Sequence, residues 1–150
     1  MDTWVKDLVV FYGAILSTAV AAWNLFTYFN DKGKLKVHCY IGRLVYEQHV
    51  DDKDYLIYNI TNTGRKPIWV TNIGGEFKTG DENHFLIKPS PGNIPKKLEP
   101  GEYLHEWTPD LFILSDNLKS LTAYDSLGNT YKCDRKTTKR LIKESKGLKA

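Results

Sequence analysis

Residues 8–29 read LVVFYGAILSTAVAAWNLFTYF, 22 residues without an Asp, Glu, Lys, Arg or His. As an α-helix rising about 1.5 Å per residue this run reaches roughly 33 Å, enough to cross a hydrocarbon core of about 30 Å. Trp4, Phe11 and Tyr12 lie toward one end, and Trp23, Phe26, Tyr28 and Phe29 toward the other. Amphipathic rings collect in this way at the two membrane–water interfaces. The expectation is an N-terminal transmembrane helix over residues 1–29, spanning 8–29. Trp4, Trp23, Tyr28, Lys32 and Lys34 are then its interface residues and the lipid bilayer is its first partner. A cleaved signal peptide competes with this reading, because Ala19-Val20-Ala21 fits a small-x-small cleavage pattern. Against it, Met1 to Asp7 carries two aspartates and one lysine in place of a positive leader, and the apolar run continues through Trp23, Leu25 and Phe26.

Charge around the helix sets a direction. Lys32, Lys34, Lys36 and Arg43 follow it closely, while Lys6 on the other side is flanked by Asp2 and Asp7. By the positive-inside rule this predicts a single-pass protein with its C-terminal part in the cytoplasm. Cys39 and Cys133 would stay reduced there, and no zinc-site spacing surrounds them. Gly13, Ser17 and Ala21 recur four residues apart and Asn24 continues their face, with Ala14, Thr18 and Ala22 in an adjacent stripe. Small residues at this spacing let two helix backbones approach, and an amide can hydrogen-bond across the pair. Gly13, Ser17, Ala21 and Asn24 are therefore read as a helix–helix packing face, and the protein as a homo-oligomer.

The 150 residues carry a formal charge of +3, unevenly spread. The tail 134–150 has seven Lys or Arg against Asp134 and Glu144, so the stretch 30–133 is about −1. Within 30–133 the hydrophobic period changes to two. Leu35, Val37, Cys39 and Ile41 alternate with Lys36, His38, Tyr40 and Gly42, as in a half-buried strand. Leu44 to Val50 extends or pairs with it, and Asp51-Asp52-Lys53-Asp54 reads as a turn. Further strands follow at Tyr55–Asn62, Pro67–Ile73, His84–Lys88, Tyr103–Trp107, Ser120–Tyr124 and Thr130–Cys133, with turn chemistry between them. Gly74-Gly75 reads as a break or bulge, and Leu111–Leu114 as a short helical or irregular crossing. Seven or eight short strands without a long helical pattern predict an all-β domain, an antiparallel β-sandwich, with Cys39 and Cys133 as sheet neighbours on its first and last strands.

Three segments carry a resemblance: Asn62-Thr63-Gly64-Arg65-Lys66-Pro67-Ile68-Trp69-Val70, Leu98-Glu99-Pro100-Gly101-Glu102, and Tyr124-Asp125-Ser126-Leu127-Gly128-Asn129-Thr130-Tyr131. Over residues 34–133 they resemble immunoglobulin-like adhesion and bacterial accessory modules. The resemblance implies an immunoglobulin-like sandwich and transfers no catalytic residue. In layout the chain is also similar to small bacterial or phage-encoded membrane proteins, some antiviral effectors among them.

After Cys133, Asp134 reads as the cap of a short basic helix. Its Arg135, Lys136, Lys139, Arg140 and Lys143 are expected to contact acidic lipid or a partner. Nucleic acid is disfavoured, since no aromatic residue interleaves with these charges.

No catalytic pattern emerges. His38, His49, His84 and His105 are scattered, Asp51, Asp52 and Asp54 lack the glycine and glutamate of a calcium loop, and Gly74-Gly75 precedes no phosphate-loop helix. Trp69, Trp107, Tyr55, Tyr58 and Tyr103 are strand aromatics that divide between core and surface. The expectation is a non-enzymatic, membrane-anchored binding module without metal or cofactor, whose β domain meets a protein or small ligand. Two alternatives stand beside it: a membrane effector whose helices perturb the bilayer, and a periplasmic or secreted adhesion module with a Cys39–Cys133 bridge.

Overall fold

The computed structural model describes residues 3–46, 49–80 and 83–148, excluding the side chains of Asn30 and Tyr46. It divides into two units, residues 1–32 and 33–150. The first is a single helix, α1 (Thr3–Asn30). None of its candidate spanning window is buried within the chain, and its length and apolarity suit a membrane span, characters that a signal sequence shares.

The second unit packs two antiparallel sheets. One has the order β1 (Leu35–Tyr46), β2 (His49–Asn62) and β6 (Tyr103–Thr108). The other has the order β4 (His84–Ile87), β3 (Ile68–Phe77), β7 (Leu118–Asp125) and β8 (Thr130–Lys132), with β5 (Lys96–Leu98) also paired to β3. A 3-10 turn at Leu111–Ile113 crosses between β6 and β7. The helix α2 (Arg135–Leu148) closes the unit. The expected architecture of an apolar N-terminal helix, eight strands in two antiparallel sheets and a short C-terminal helix is the one observed.

Alternation builds the core. Leu35, Val37 and Cys39 of β1 are buried while Lys36 and His38 between them are exposed. They meet Leu56, Tyr58 and Ile60 of β2, and Ile68, Val70, Ile73, Leu121 and Ala123 from the facing sheet. Leu141 brings α2 into the same cluster with no exposed surface.

Three local expectations need correction. Asp51-Asp52-Lys53-Asp54 is strand, not turn: β2 starts at His49, and Arg43 lies opposite Asp54 with a 3.2 Å ion pair. Asp51, Asp52 and Asp54 are partly or fully exposed on this two-stranded ribbon, so their charge does not oppose strand pairing. Residues 47–48 of the Leu44–Val50 stretch lie outside the described residues, and the rest of it belongs to β1 and β2. Gly74 and Gly75 neither break nor bulge β3; the register shifts lie on either side of them, at Val70/Asn72 and Glu76/Phe77. These glycines answer to crowding, since a Cβ at Gly74 would meet the Phe85 carbonyl and one at Gly75 the Ser120 carbonyl and the Phe85 ring. Cys39 and Cys133, finally, are not neighbours in one sheet. Cys39 is on β1 of the first sheet, and Cys133 hydrogen-bonds through its backbone to Leu121 of the second.

The motif segments have physical reasons to recur as turns. The buried Asn62 amide donates to the carbonyls of Lys66 and Leu98 at 2.9 Å each, and its oxygen accepts the Gly64 N–H at 2.9 Å. Asn62 also exchanges backbone hydrogen bonds with the Pro100 turn, donating to Glu102 and accepting from Gly101. The first two segments are thus clasped together, with Gly101 at φ +85° where an L side chain would be strained. In the third, the Asp125 carboxylate accepts the N–H groups of Leu127 and Asn129, the Asn129 amide and the Tyr131 hydroxyl.

Candidate functional site

Each unit presents its own surface. On α1, Gly13, Ser17, Ala21 and Asn24 lie on one side of the helix and, with Leu16 and Val20, line a shallow depression. The Ser17 and Thr18 hydroxyls both donate to the Ala14 carbonyl, at 3.0 and 2.8 Å, and Thr27 donates to Trp23 at 2.9 Å. Those polar groups are therefore satisfied within the helix. The Asn24 amide has no such bond among the described residues. Gly13 is equally unexplained from within, because a Cβ there would meet nothing within 4 Å. Glycine inside a helix costs about 1 kcal/mol relative to alanine, and no neighbour among the described residues offsets it.

The interface residues separate between the units. Trp4, Trp23 and Tyr28 are all exposed on α1, Trp23 next to Phe26 with ring centroids 6.2 Å apart. The Lys32 ammonium sits 5.8 Å from the Phe29 ring centroid, within range of a cation–π contact. Lys34 belongs to the β unit, where its carbonyl accepts the Thr63 N–H.

On the β unit the basic residues are ordered by α2. Asp134 caps it, its carboxylate accepting the N–H groups of Lys136 at 3.1 Å and Thr137 at 3.4 Å. Thr138, Leu141 and Ser145 are buried, and the Ser145 hydroxyl donates to the Leu114 carbonyl at 3.1 Å. Arg135, Lys136, Lys139, Arg140 and Lys143 are all exposed on the remaining surface.

A groove that the strand pattern did not reveal lies between the two sheets. Its cavity volume is about 540 Å³, lined by Phe77, Phe85, Leu86, Trp107 and Phe112, with Lys88 and Asp110 also on its walls. The Phe77 and Phe85 rings stack 4.8 Å apart, while Leu86 and Phe112 remain exposed. Of the strand aromatics named from the sequence, Trp107 alone lines the groove; its walls come from β3, β4 and the segment 107–113, too far apart in sequence for a local pattern to unite. Of the remaining strand aromatics, Tyr58 is core, donating to the Gly74 carbonyl at 2.9 Å, and Trp69 and Tyr103 are exposed.

Two buried carboxylates elsewhere, Glu76 and Glu106, each have at least one structural partner. Glu76, nearly buried, is held by Lys132 at 3.0 Å and Lys119 at 3.1 Å. The Lys132 hydrogen bond, with Lys119, keeps its carboxyl below the ordinary range against the opposing effect of burial. Glu106, buried opposite Tyr58, accepts the Ser90 N–H at 3.0 Å. Among the described residues no three His, Cys, Asp or Glu side chains are grouped to hold a metal ion. No protein-family model matches the chain, and no curated protein matches its sequence.

Proposed function

We propose that this chain is a membrane-anchored, non-enzymatic interaction module that assembles through its N-terminal helix and carries an immunoglobulin-like sandwich in the cytoplasm. The observation that carries the reading is the face of α1 on which Gly13 packs against nothing and the Asn24 amide is unpartnered. In a bilayer both costs are relieved by a second copy, whose backbone approaches over Gly13, Ser17 and Ala21 while the amides pair. Interhelical hydrogen bonds of this kind contribute roughly 0.6–2 kcal/mol.

Recognition belongs to the soluble unit. The groove between its sheets has apolar aromatic walls and a few polar groups, and its volume falls in the range of about 300–1,000 Å³ common to ligand sites. The cytoplasmic direction rests on Lys32, Lys34, Lys36 and Arg43 following the helix. Four residues, 31–34, connect α1 to β1.

An alkaline carbonate wash of membranes, with the intact mass of the retained protein, tests the anchor. The reading expects retention in the pellet and a mass beginning at Met1. A soluble product cleaved after Ala21 would overturn it.

A further inference from the structure

We infer that α2 is a docking face for an anionic phospholipid surface, with a lysine-lined cleft beside it that takes a phosphate headgroup. This goes beyond the anchor reading and does not depend on α1 pairing. At about 100° per residue, Arg135, Lys136, Lys139, Arg140, Lys143 and Lys146 fall within about 140° of the helix circumference, opposite the arc of Thr138, Leu141 and Ser145 that is buried on the sandwich. Packing therefore fixes the helix with its cations outward. Lys146 is spent on Asp116, donating to both carboxylate oxygens at 2.8 Å. The other five carry no hydrogen bond or ion pair through their side chains among the described residues.

The cleft lies where α2 meets the loop before β7. Lys78, Lys139, Lys143 and Lys146 surround it with Asp116 and Ile142. Lys78 donates to the Asp116 carbonyl at 2.7 Å, so it and Lys146 are positioned while Lys139 and Lys143 remain available. Four ammonium groups against one carboxylate leave an excess of positive charge that a phosphate matches. The rest of the chain directs the choice of occupant. No aromatic residue on α2 offers a base a stacking platform, and α1 has the length and apolarity of a membrane span. Each basic side chain near an anionic surface strengthens attraction about fivefold.

The test uses the full-length chain in nanodiscs of phosphatidylcholine alone or of phosphatidylcholine mixed equally with phosphatidylglycerol. Acylation of Lys136, Lys139 and Lys143 by a water-soluble ester is read by mass spectrometry. Anionic discs should slow labelling of all three at least about fivefold, and about 1 M salt, where the screening length is about 3 Å, should restore it. The pair Lys139→Gln and Lys143→Gln, at exposed and unpaired positions, should lose the protection at Lys136 with the circular dichroism unchanged. Equal labelling in the two kinds of disc overturns the inference. So does equal protection in phosphatidylcholine discs by inorganic phosphate or by a DNA duplex, which would assign the face to a soluble anion or to nucleic acid. A chain that leaves the discs yet is protected by anionic ones removes the anchor and leaves this inference standing.

Discussion

Cys39, on the first strand of one sheet, and Cys133, which follows the last strand of the other, lie in the same core cluster with their side chains interacting. Both thiols are free and buried. Burial, with the contact from Cys133, pushes Cys39 well above its ordinary value of 9.0. The interaction with the Cys39 side chain brings Cys133 down to about 7 against its own burial, helped by the backbones of Cys39 and Asp134 and by Thr138. A depressed folded value adds stability that is fully present above the unfolded value near 9 and is lost as pH falls through about 7. Thermal stability of the wild type relative to Cys133→Ser should therefore rise from pH 7 to 9. A difference that is flat across that window would contradict the contact.

The same pair reports the compartment. Alkylation during denaturation, on chains taken directly from cells, should modify both Cys39 and Cys133 if the sandwich is cytoplasmic. A chain in which neither is modified has formed the bridge across the sheets, and the orientation drawn from Lys32, Lys34 and Lys36 would then be reversed.

Acid should weaken the fold through two carboxylates. Burial pushes Asp125 up, but the hydrogen bonds from Asn129, Leu127 and Tyr131 outweigh it and leave the group below its ordinary 3.8. Glu76 is held below its ordinary 4.5 by Lys132 and Lys119. Both folded values are depressed, so their contribution is present above the unfolded values and lost as pH falls through the folded ones. Melting temperature should drop below about pH 4.5, and Glu76→Gln with Asp125→Asn should flatten that slope while lowering stability at neutral pH. An unchanged acid limb in the double variant would remove these two groups from the account.

Leu141 carries the docking of α2. With no exposed surface and apolar neighbours from the sandwich, Leu141→Ala should cost about 2–5 kcal/mol in chemical denaturation. Lys143→Ala, exposed on the opposite side, should change little. Equal effects would mean that α2 does not pack as described.

How much of this was legible depended on range in sequence. The helix α1 and the strands could be read because each rests on a local period, unbroken apolarity in one case and alternation in the other. Asn62 and Asp125 announced turns because their side chains satisfy backbone groups only a few residues away. The ribbon at Asp51–Asp54 is a strand because acidic residues mark turns only on average, and a water-facing strand directly paired with Arg43 accepts them equally well. The reason for Gly74 and Gly75 lies in Phe85 and Ser120, which no local pattern could supply. The groove of Phe77, Phe85, Trp107 and Phe112 stayed hidden because its walls come from three separate segments. On α1 the Gly13–Asn24 face was legible, since helical spacing alone puts those residues together.

Self-association of α1 is the central claim, and the most direct measurement is a membrane two-hybrid signal from the full-length chain. Gly13→Leu and Asn24→Leu should each lower that signal by about threefold or more, while Ile15→Val on the opposite side should leave it unchanged. A signal that both face variants retain in full would contradict pairing through this helix.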